Sequence, residues 1–510
     1  MGYCESMNKV GSYDTLFDVI VCGGGTSGVA AAIASARTGA KTLLIERTGC
    51  LGGQMSVSGP PGFAYARLFN PQGKRDVGGI VEETYQRLYK AGHALPHLRY
   101  PVREKAGYGF SYIDPDWWTY LIYEMMEEED VTLLLDTLVV GVTKDGDTVN
   151  GVVVENANGR NEIKGKIVID CTGEGYVSLQ AGVECDIVPR DEVQPHTLAF
   201  TVDGVNWERL LEYIRSHPEQ FSFKQLIFPL EDANTKEDVM NMYKNCYNIK
   251  ELGEVMGFYE LRDIAFKNGD WHPFSGAGFF LTPKEGGHIQ AHFQHSSQVD
   301  NCMPTDAWDL SRCNIECRKQ NMIAWRFFKN YVPGFEDAYI TKVCTELRLR
   351  EGPRIIGDYI LTRDDVEECK QFADTIGKSS FKAGGYHVAS MDTLNHVAAT
   401  GTSIKDSEKV VMNKSALAYP KDGGSYDIPY RCLVPKKVEN ILAAGKCVST
   451  DRPSYLRYLH QTMVTGQAAG TAAGLCVKKG ITPRQLENEV GELQDMLVAQ
   501  GAILFECPEH

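Results

Sequence analysis

Residues 19–32 read VIVCGGGTSGVAAA. An apolar run meets a knot of glycines and then a run of small residues, which predicts a strand, a tight turn and a helix. Inside the knot, Gly23-x-Gly25-x-x-Gly28 has the spacing of a dinucleotide-binding turn. Gly23 permits the turn, Gly25 lets phosphate approach the backbone, and Gly28 lets the helix pack on the strand. Thr26 and Ser27 open the helix, so their N–H groups face outward at its positive end, where an anion is favoured. KTLLIER, residues 41–47, supplies a second strand ending in Glu46. That carboxylate is placed to accept both hydroxyls of an adenosine ribose and to repel a 2′-phosphate, which disfavours NADP. Residues 17–47 are thus a βαβ unit with parallel strands and a right-handed crossover.

A nicotinamide that comes and goes or a flavin that stays would both suit this turn. A second glycine-rich loop, GCLGGQMSVSGPPG at 49–62, follows the ribose acid at once. It has no use in a plain nicotinamide dehydrogenase, whereas an isoalloxazine ring needs backbone to lie against. Cys50 has no second cysteine within residues 51–60 to form a redox disulfide, so it reads as structural or incidental. Near the end of the chain, NILAAGKCVS at 440–449 and TGQAAGTAAG at 465–474 repeat the order strand, glycine turn, helix. Gly466, Gly470 and Gly474 recur every fourth residue and leave one helix face bare. That face serves tight helix packing alone, or it also belongs to a helix whose N-terminus is aimed at the pyrimidine end of a flavin. Such a return of the chain to its first domain favours bound FAD.

The 510 residues exceed what one hydrophobic core usually serves, so two or three domains are expected. The net charge of -15, from 67 acids against 52 bases, argues against nucleic acid or an anionic membrane as partner. No apolar run is long enough for a membrane span. The first residues lack a secretory pattern, although Gly2 and Ser6 fit a loose acylation motif. Fifteen scattered cysteines without a C-x-x-C pair suit reduced thiols in the cytoplasm. Cys302, Cys313 and Cys317 are the closest cluster, and a single helical turn between the last two accounts for it better than an iron–sulfur ligand set.

The pattern predicts α/β architecture in three stretches. Residues 15–190 form the first part of a Rossmann-like FAD-binding domain, 191–430 an inserted α+β substrate or cap domain, and 431–510 a return to the FAD domain plus a closing helix. YIDPDWWTYLIYEMMEEE is a helix after an Asp-Pro start, and KIVIDCTGEG is an apolar strand ending in glycines. Amphipathic helices at 206–216 and 306–331 and strands in HTLAFTV and GHIQAHFQH belong to the insert. In that last strand His288 and His292 share a face and His295 does not; no carboxylate or cysteine lies at ligand spacing nearby, so no metal is expected.

The sequence resembles the FAD-dependent oxidoreductases of glutathione-reductase-type fold. It is most similar to single-chain bacterial flavoproteins related to the flavin subunit of heterodisulfide reductase. The pieces that carry the likeness span nearly the whole chain: VIVCGGGTSGVAAAIASARTGAKTLLIER, GCLGG, IVIDCTGEGYVS, YVPGFEDAYI, RLREGPRIIGDYILTRDDV, YDIPYRCLVPKKVENILAAGKCVS and TGQAAGTAA. The resemblance implies FAD pyrophosphate at Gly23 to Gly28 and the adenosine ribose at Glu46, with Arg47 beside it. It implies flavin contacts at Gly52, Gly53 and Gln54, adenine near Val139, and further contacts at Thr172, Gly173, Gly445 and Gln467. The chain departs from the pattern where relatives carry Asp-Ile-His and it has GGYHVAS, and where they carry proline and it has His460. Its substrate pocket is therefore expected to be its own. A separate NADPH domain is not expected, because CTGEGYVSLQAG has Gly173 and Gly175 but Ser178 in place of a third glycine. Aromatic hydroxylases of related fold carry Gly-Asp late in the flavin domain, and here the pair is Gly445-Lys446.

Flavin redox at a carbon atom calls for an acid or base near that carbon, and a neutral imidazole serves at pH 7. The candidates are His387 with Tyr386, and His460 with Tyr455. Phe63, Tyr65, Tyr108, Phe110 and Tyr112 line a pocket or fill core. Arg350 and Arg354 bind an acidic substrate or form structural ion pairs with Glu351 and Asp358, the second reading being preferred. The expected activity is hydride transfer between a small organic substrate and the flavin N5, with an external electron carrier or oxygen as the second partner. The rivals are an electron-transfer flavin subunit of a larger complex, against which the lack of cysteine clusters counts, and a non-redox flavoprotein.

Overall fold

The computed structural model describes residues 16–59, 68–70, 74–99, 109–222, 236–271, 277–385 and 416–505. Strand β1 (Phe17–Cys22) has Val19 to Cys22 fully buried. A strand covered on both faces needs apolar side chains in both directions, hence the unbroken run. The chain turns at Gly23 with φ 102°, then enters α1 (Thr26–Arg37), whose first ten residues are all buried. Strand β2 (Thr42–Ile45) pairs parallel with β1, as the βαβ reading requires. Helices α2 (Ile80–Lys90) and α3 (Pro115–Glu128) follow. Asp114 caps α3 by accepting from the Asp116 N–H, with Pro115 at the first helical position.

Strand β3 (Thr132–Leu134) extends the sheet beside β2. Strands β4 (Leu138–Asp145), β5 (Thr148–Asn156) and β6 (Gly159–Asp170) then form an antiparallel meander. Strand β6 changes partners midway. Residues 159–164 pair antiparallel with β5, and residues 165–170 pair parallel with β1. Its sequence shows the change: GRNEIKGK alternates polar and apolar, while IVID is buried throughout. The short helix α4 (Tyr176–Ala181) closes this part.

The second sheet has six antiparallel strands. Strand β7 (Phe200–Asp203) leads into α5 (Trp207–Ser216). Strands β8 (Phe221–Ser222), β9 (Glu254–Gly257), β10 (Gly278–Pro283) and β11 (Ile289–Phe293) follow, then α6 (Ala307–Tyr331) and β12 (Tyr339–Val343). The order across the sheet is β8-β9-β10-β11-β7-β12. Its core is aromatic: Phe200 stacks on Phe293 with ring centres 4.6 Å apart, and Phe293 meets Phe328 of α6 edge-on at 4.7 Å.

The chain then returns to the first sheet. Strand β13 (Thr375–Ser379) and β14 (Ala383–Gly385) precede β15 (Tyr426–Pro429), which pairs with β13. Strand β16 (Ile441–Ala443) joins the parallel part of β6. Helix α7 (Leu459–Lys479) is buried from Leu459 through Cys476, and α8 (Val490–Ala499) closes the fold. Residues of β13 sit against these helices: Gly377 lies beneath Val464, and the Gln494 side-chain amide donates to the carbonyls of Ala373 and Thr375.

The bare face of α7 lies on α1. A Cβ on Gly466 would stand 2.2 Å from the Ser27 carbonyl oxygen, one on Gly470 would stand 2.0 Å from that of Ala31, and one on Gly474 would stand 2.7 Å from Thr38 Cβ. The glycine spacing is thus explained by helix packing. No helix among the described residues is long and apolar enough to cross a membrane.

Gly470→Ala is expected to lower the thermal unfolding temperature although alanine is the better helix former. Overpacking costs about 1–3 kcal/mol against a propensity gain of about 1 kcal/mol. Gly491→Ala, at an exposed position of α8 where a Cβ meets nothing within 4 Å, is expected to leave that temperature unchanged or raise it. Differential scanning calorimetry of the two variants checks the pair.

Candidate functional site

The site is built at the carboxyl ends of the parallel strands. Gly25 precedes α1 with no side-chain cap, and no acidic residue occupies the first helical turn. No group among the described residues accepts a hydrogen bond from the N–H groups of Thr26, Ser27 or Gly28. Buried donors without partners are costly, so this end is made for an acceptor from outside the chain. A Cβ added to Gly25 would meet nothing within 4 Å, whereas one on Gly28 would stand 1.7 Å from the Gly23 carbonyl oxygen. Gly28 is needed for packing, and Gly25 keeps open space.

Glu46 closes one side and is buried. Its Oε2 accepts from the Gly24 N–H at 2.6 Å, and its Oε1 accepts from the Thr48 N–H and hydroxyl at 2.9 Å each. Each carboxylate oxygen takes about two hydrogen bonds, so Oε2 retains capacity for a ribose hydroxyl. Thr137 donates its N–H to the Glu46 carbonyl, which brings half-buried Val139 to the same end of the sheet. The second glycine loop folds back on the first. Gly52 donates to the Gly24 carbonyl at 2.7 Å, Gly25 and Gly52 form a parallel bridge, and Gly52 and Gly53 have φ of 105° and 51°.

Two later segments complete the mouth. Asp170, at the end of β6, accepts from the N–H and hydroxyl of both Thr172 and Ser178, and this shapes the turn through Gly173. Gly445, with φ 82°, donates its N–H to the Thr465 hydroxyl, and a Cβ there would stand 2.6 Å from Ser27 Oγ. Thr26 and Thr462 exchange a hydroxyl hydrogen bond of 2.8 Å that fixes the start of α1 to the first turn of α7. Gly23, Gly25, Thr26, Ser27, Gly28, Glu46, Gly52, Gly53, Gln54, Thr172, Gly173 and Gly445 therefore come together around one opening. Thr462 and Thr465 belong to this frame and were not singled out from sequence, because a threonine pair one turn apart in a small-residue helix carries no distinct signal.

Other sequence candidates lie elsewhere or face other partners. Gln467 points to the start of α2 and the end of α8: its Oε1 accepts from the Ile80 N–H at 3.0 Å and its Nε2 lies 3.3 Å from Gln500 Oε1. Arg47 pairs with Glu346 at 2.7 Å. Arg354 is fully enclosed and pairs with Asp186 and Glu351, so the ion-pair reading describes it. His460, on the first turn of α7, is buried with Nε2 3.4 Å from the Ser379 hydroxyl. Tyr455 is buried beneath the Arg354 guanidinium, and burial followed by the Glu351 charge raises the pKa of its phenol well above normal. Tyr386, His387, Phe63, Tyr65 and Tyr108 lie outside the described residues. Cys302, Cys313 and Cys317 are buried together, with 4.0 Å between the last two sulfurs one helical turn apart. Among the described residues no cluster of histidines, cysteines and acids has metal-site geometry. His288 pairs with Asp203, and His292 is buried with Nδ1 3.1 Å from the Thr201 hydroxyl.

A basic seam adjoins the mouth. Lys446 crosses Gly173 to pair with Glu174 at 2.6 Å and donates to the Leu349 carbonyl at 3.0 Å. The Gln54 amide donates to the same carbonyl at 2.9 Å. His196 lies behind this segment. Its Nε2 is 3.0 Å from the Cys302 carbonyl, and its Nδ1 accepts from the Arg350 N–H at 3.3 Å, which sets one neutral tautomer. Burial first, then the charges of Lys446 and Arg350, push its pKa down to about 3.

The FAD dependent oxidoreductase family model matches residues 18–497. Among solved structures, the chain is similar to a geranylgeranyl bacteriochlorophyll reductase-like protein from Thermoplasma acidophilum. That match has 13% identity and a TM-score of 0.46, covering 95% of this chain and 87% of that one. It is similar to a myxobacterial chondrochloren halogenase at 13% identity and TM-score 0.43, covering 95% and 82%. It is also similar to p-nitrophenol 4-monooxygenase from Pseudomonas putida at 11% identity and TM-score 0.41, covering 95% and 88%. No curated protein matches the chain by sequence.

Gly25→Ala is expected to fold with an unchanged far-ultraviolet spectrum, because its methyl group meets no protein atom within 4 Å, and to lose at least about tenfold in FAD affinity if the open space there receives the pyrophosphate. Flavin fluorescence titration of the apoprotein checks this. The depressed His196 pKa gives a second expectation. The unfolded imidazole takes up a proton below its ordinary pKa of 6.5 and the folded one does not until about 3. Its contribution is therefore complete above about pH 6.5 and erodes as pH falls toward 3, by up to about 1.4 kcal/mol per pH unit. Thermal unfolding of His196→Asn against the parent from pH 7 to 4 is expected to show a shallower pH dependence in the variant.

Proposed function

We propose the following role for this chain, which belongs to the FAD dependent oxidoreductase family. It is an enzyme of FAD-linked redox catalysis, with FAD as its cofactor. In our reading the fold is of glutathione-reductase type, with residues 15–190 and 431–510 forming the cofactor domain and 191–430 forming the cap. The parallel strands β2, β1, β6 and β16, and the return of α7 onto α1, support that partition. Bound at this site, FAD supplies a two-electron carrier that exchanges a hydride at its N5.

The observation that carries the assignment is the uncapped start of α1. Three N–H groups that have no acceptor among the described residues lie beside the open space at Gly25, flanked by Glu46, Gly52 and Gly445. The N–H groups at 26–28 hold the pyrophosphate, Glu46 Oε2 the ribose, and the backbone of Gly52 to Gln54 the ring. Arg47, Val139, Thr172, Gly173 and Gly445 border the site, and Gln467 acts at a distance by holding the start of α2. His460 or His387 holds and releases the proton that accompanies hydride transfer, with Tyr455 or Tyr386 beside it. Burial of His460 keeps that proton from bulk water. A small organic substrate and an external electron carrier or oxygen complete the cycle. The free thiols of the described cysteines support a reducing, cytoplasmic setting.

The purified, desalted protein is expected to show a two-band flavin spectrum and to release free FAD on denaturation. A colourless protein that takes up no added FAD would overturn the assignment. His460→Asn is expected to retain FAD and to slow substrate-dependent anaerobic bleaching by roughly 10²–10⁴-fold if His460 is the acid or base. Unchanged bleaching moves that role to His387.

A further inference from the structure

The second sheet has two unlike faces. Phe279 of β10 and Phe293 of β11 meet Phe328 of α6, and Phe200 of β7 stacks on Phe293, so these rings share the face that packs on α6. Side chains alternate along a strand, which puts Thr201, Thr282, Gln290 and His292 on the opposite face. The register agrees: Thr201 stands across from His292, and Thr282 across from Gln290. An antiparallel sheet commonly keeps a polar second face because water covers it. Here Thr201, Thr282 and His292 are buried. Polar groups taken from water need partners, and this face meets a cavity rather than a packed layer.

The cavity has a volume of about 240 Å³. Pro115 and Asp116 at the start of α3, and Gly59 of the second glycine loop, line it from the side of the first domain. Gly59 has φ 77°, and a Cβ there would stand 2.7 Å from His292 Cε1 and 2.7 Å from Cys344 Sγ. The backbone a few residues after Gln54 therefore packs on the polar face. The volume lies just below the usual range of small-molecule sites, which limits an occupant to about one sugar-sized ring.

The charged groups of the lining are committed to one another. Lys284 donates to Asp114 at 2.8 Å and to Asp116 at 2.6 Å, and Lys342 donates to Asp116 at 3.4 Å. Asp116 and Lys342 are exposed and mark the entrance. Burial pushes the Cys344 thiol up to about 11, so it stays protonated at neutral pH. Uncharged groups remain for a ligand. Gln290 gives one amide hydrogen to Asp203 at 2.9 Å, which orients the amide and leaves its carbonyl oxygen and second amide hydrogen for another partner. The Thr282 hydroxyl has no hydrogen-bond partner among the described residues. Each of these groups both donates and accepts. A carboxylate only accepts and an ammonium only donates, whereas a hydroxyl does both.

We propose that this cavity receives the substrate, and that the substrate is an uncharged polyol of about monosaccharide size, held through its hydroxyls by Thr282 and Gln290 with the Thr201–His292 pair beside them. This rests on the flavoenzyme reading for the word substrate.

The test uses the purified full-length protein with its FAD. Glucose and galactose are each titrated by calorimetry against the matching uronate and the matching amino sugar, with anaerobic flavin absorbance recorded in parallel. At least one hexose is expected to bind tighter than both of its charged relatives and to shift or bleach the flavin bands. Thr282→Val and Gln290→Leu are each expected to weaken that hexose by about three- to tenfold with FAD content unchanged, and Thr282→Ser, which keeps the hydroxyl, to bind as the parent does. Gln290 is only partly buried, so Gln290→Leu carries the test if Thr282→Val does not fold. The proposal is overturned if neither hexose binds, which leaves the cavity to water, or if a charged relative binds as tightly as its hexose. It is also overturned if the variants bind as the parent does or lose FAD. A hexose that binds through Thr282 and leaves the flavin bands unchanged would overturn its being the substrate. A colourless protein that takes up no FAD would instead overturn the flavoenzyme reading, while calorimetry still reports whether the cavity holds a polyol.

Discussion

The close contact between α1 and α7 is the constraint on which the rest depends. Gly466 and Gly470 let α7 approach until its backbone touches the carbonyls of Ser27 and Ala31. That approach sets the distance between the Gly445 turn and the first turn of α1. It also brings the Thr462 and Thr465 hydroxyls within reach of Thr26 and the Gly445 N–H. A helix with side chains on this face would stand farther off, and the two ends of the chain would not share one opening. Helix packing and the shape of this opening are here one requirement, imposed by sterics.

A second dependence runs through a single carbonyl. The Leu349 oxygen accepts from Gln54 of the second glycine loop and from Lys446 of the late turn, and Lys446 is anchored in turn by Glu174. Three segments far apart in sequence are tied to the strip that carries Arg348 and Arg350. The stretch leading into β7 is joined to this strip by the Cys344 and Arg348 backbone N–H groups, which donate to Ala199 and Thr197, and the loop after β11 by the Gln294 and His295 side chains. The second glycine loop, the late turn and the loop after β11 are therefore held against one strip. Neutral His196 behind that wall completes the backbone bonding of Arg350 without adding a further positive charge to a crowded place.

What could be seen in the sequence was local. The turn at Gly23 to Gly28, the acid Glu46 at the end of β2, the glycine loop at 52–53 and the strand ending at Asp170 each declare themselves within a few residues, because sterics and hydrogen bonding act at that range. The four-residue glycine spacing of α7 was visible too. The sequence alone therefore determined the βαβ unit, the dinucleotide turn and the expectation of a flavin.

Only the tertiary structure decided what each long-range side chain meets. Gln467 is drawn to Ile80 and Gln500, and Arg354 to Asp186 and Glu351. Among the described residues Arg348 has no carboxylate partner, whereas Arg452 pairs with Glu351 and Lys446 with Glu174. Whether a charge is compensated depends on groups that are distant in the chain and close in space, and on the low dielectric that burial creates around them. Neither is written in local spacing, so the sequence named Arg354 as an ion-pair candidate and the fold determined which carboxylates it meets.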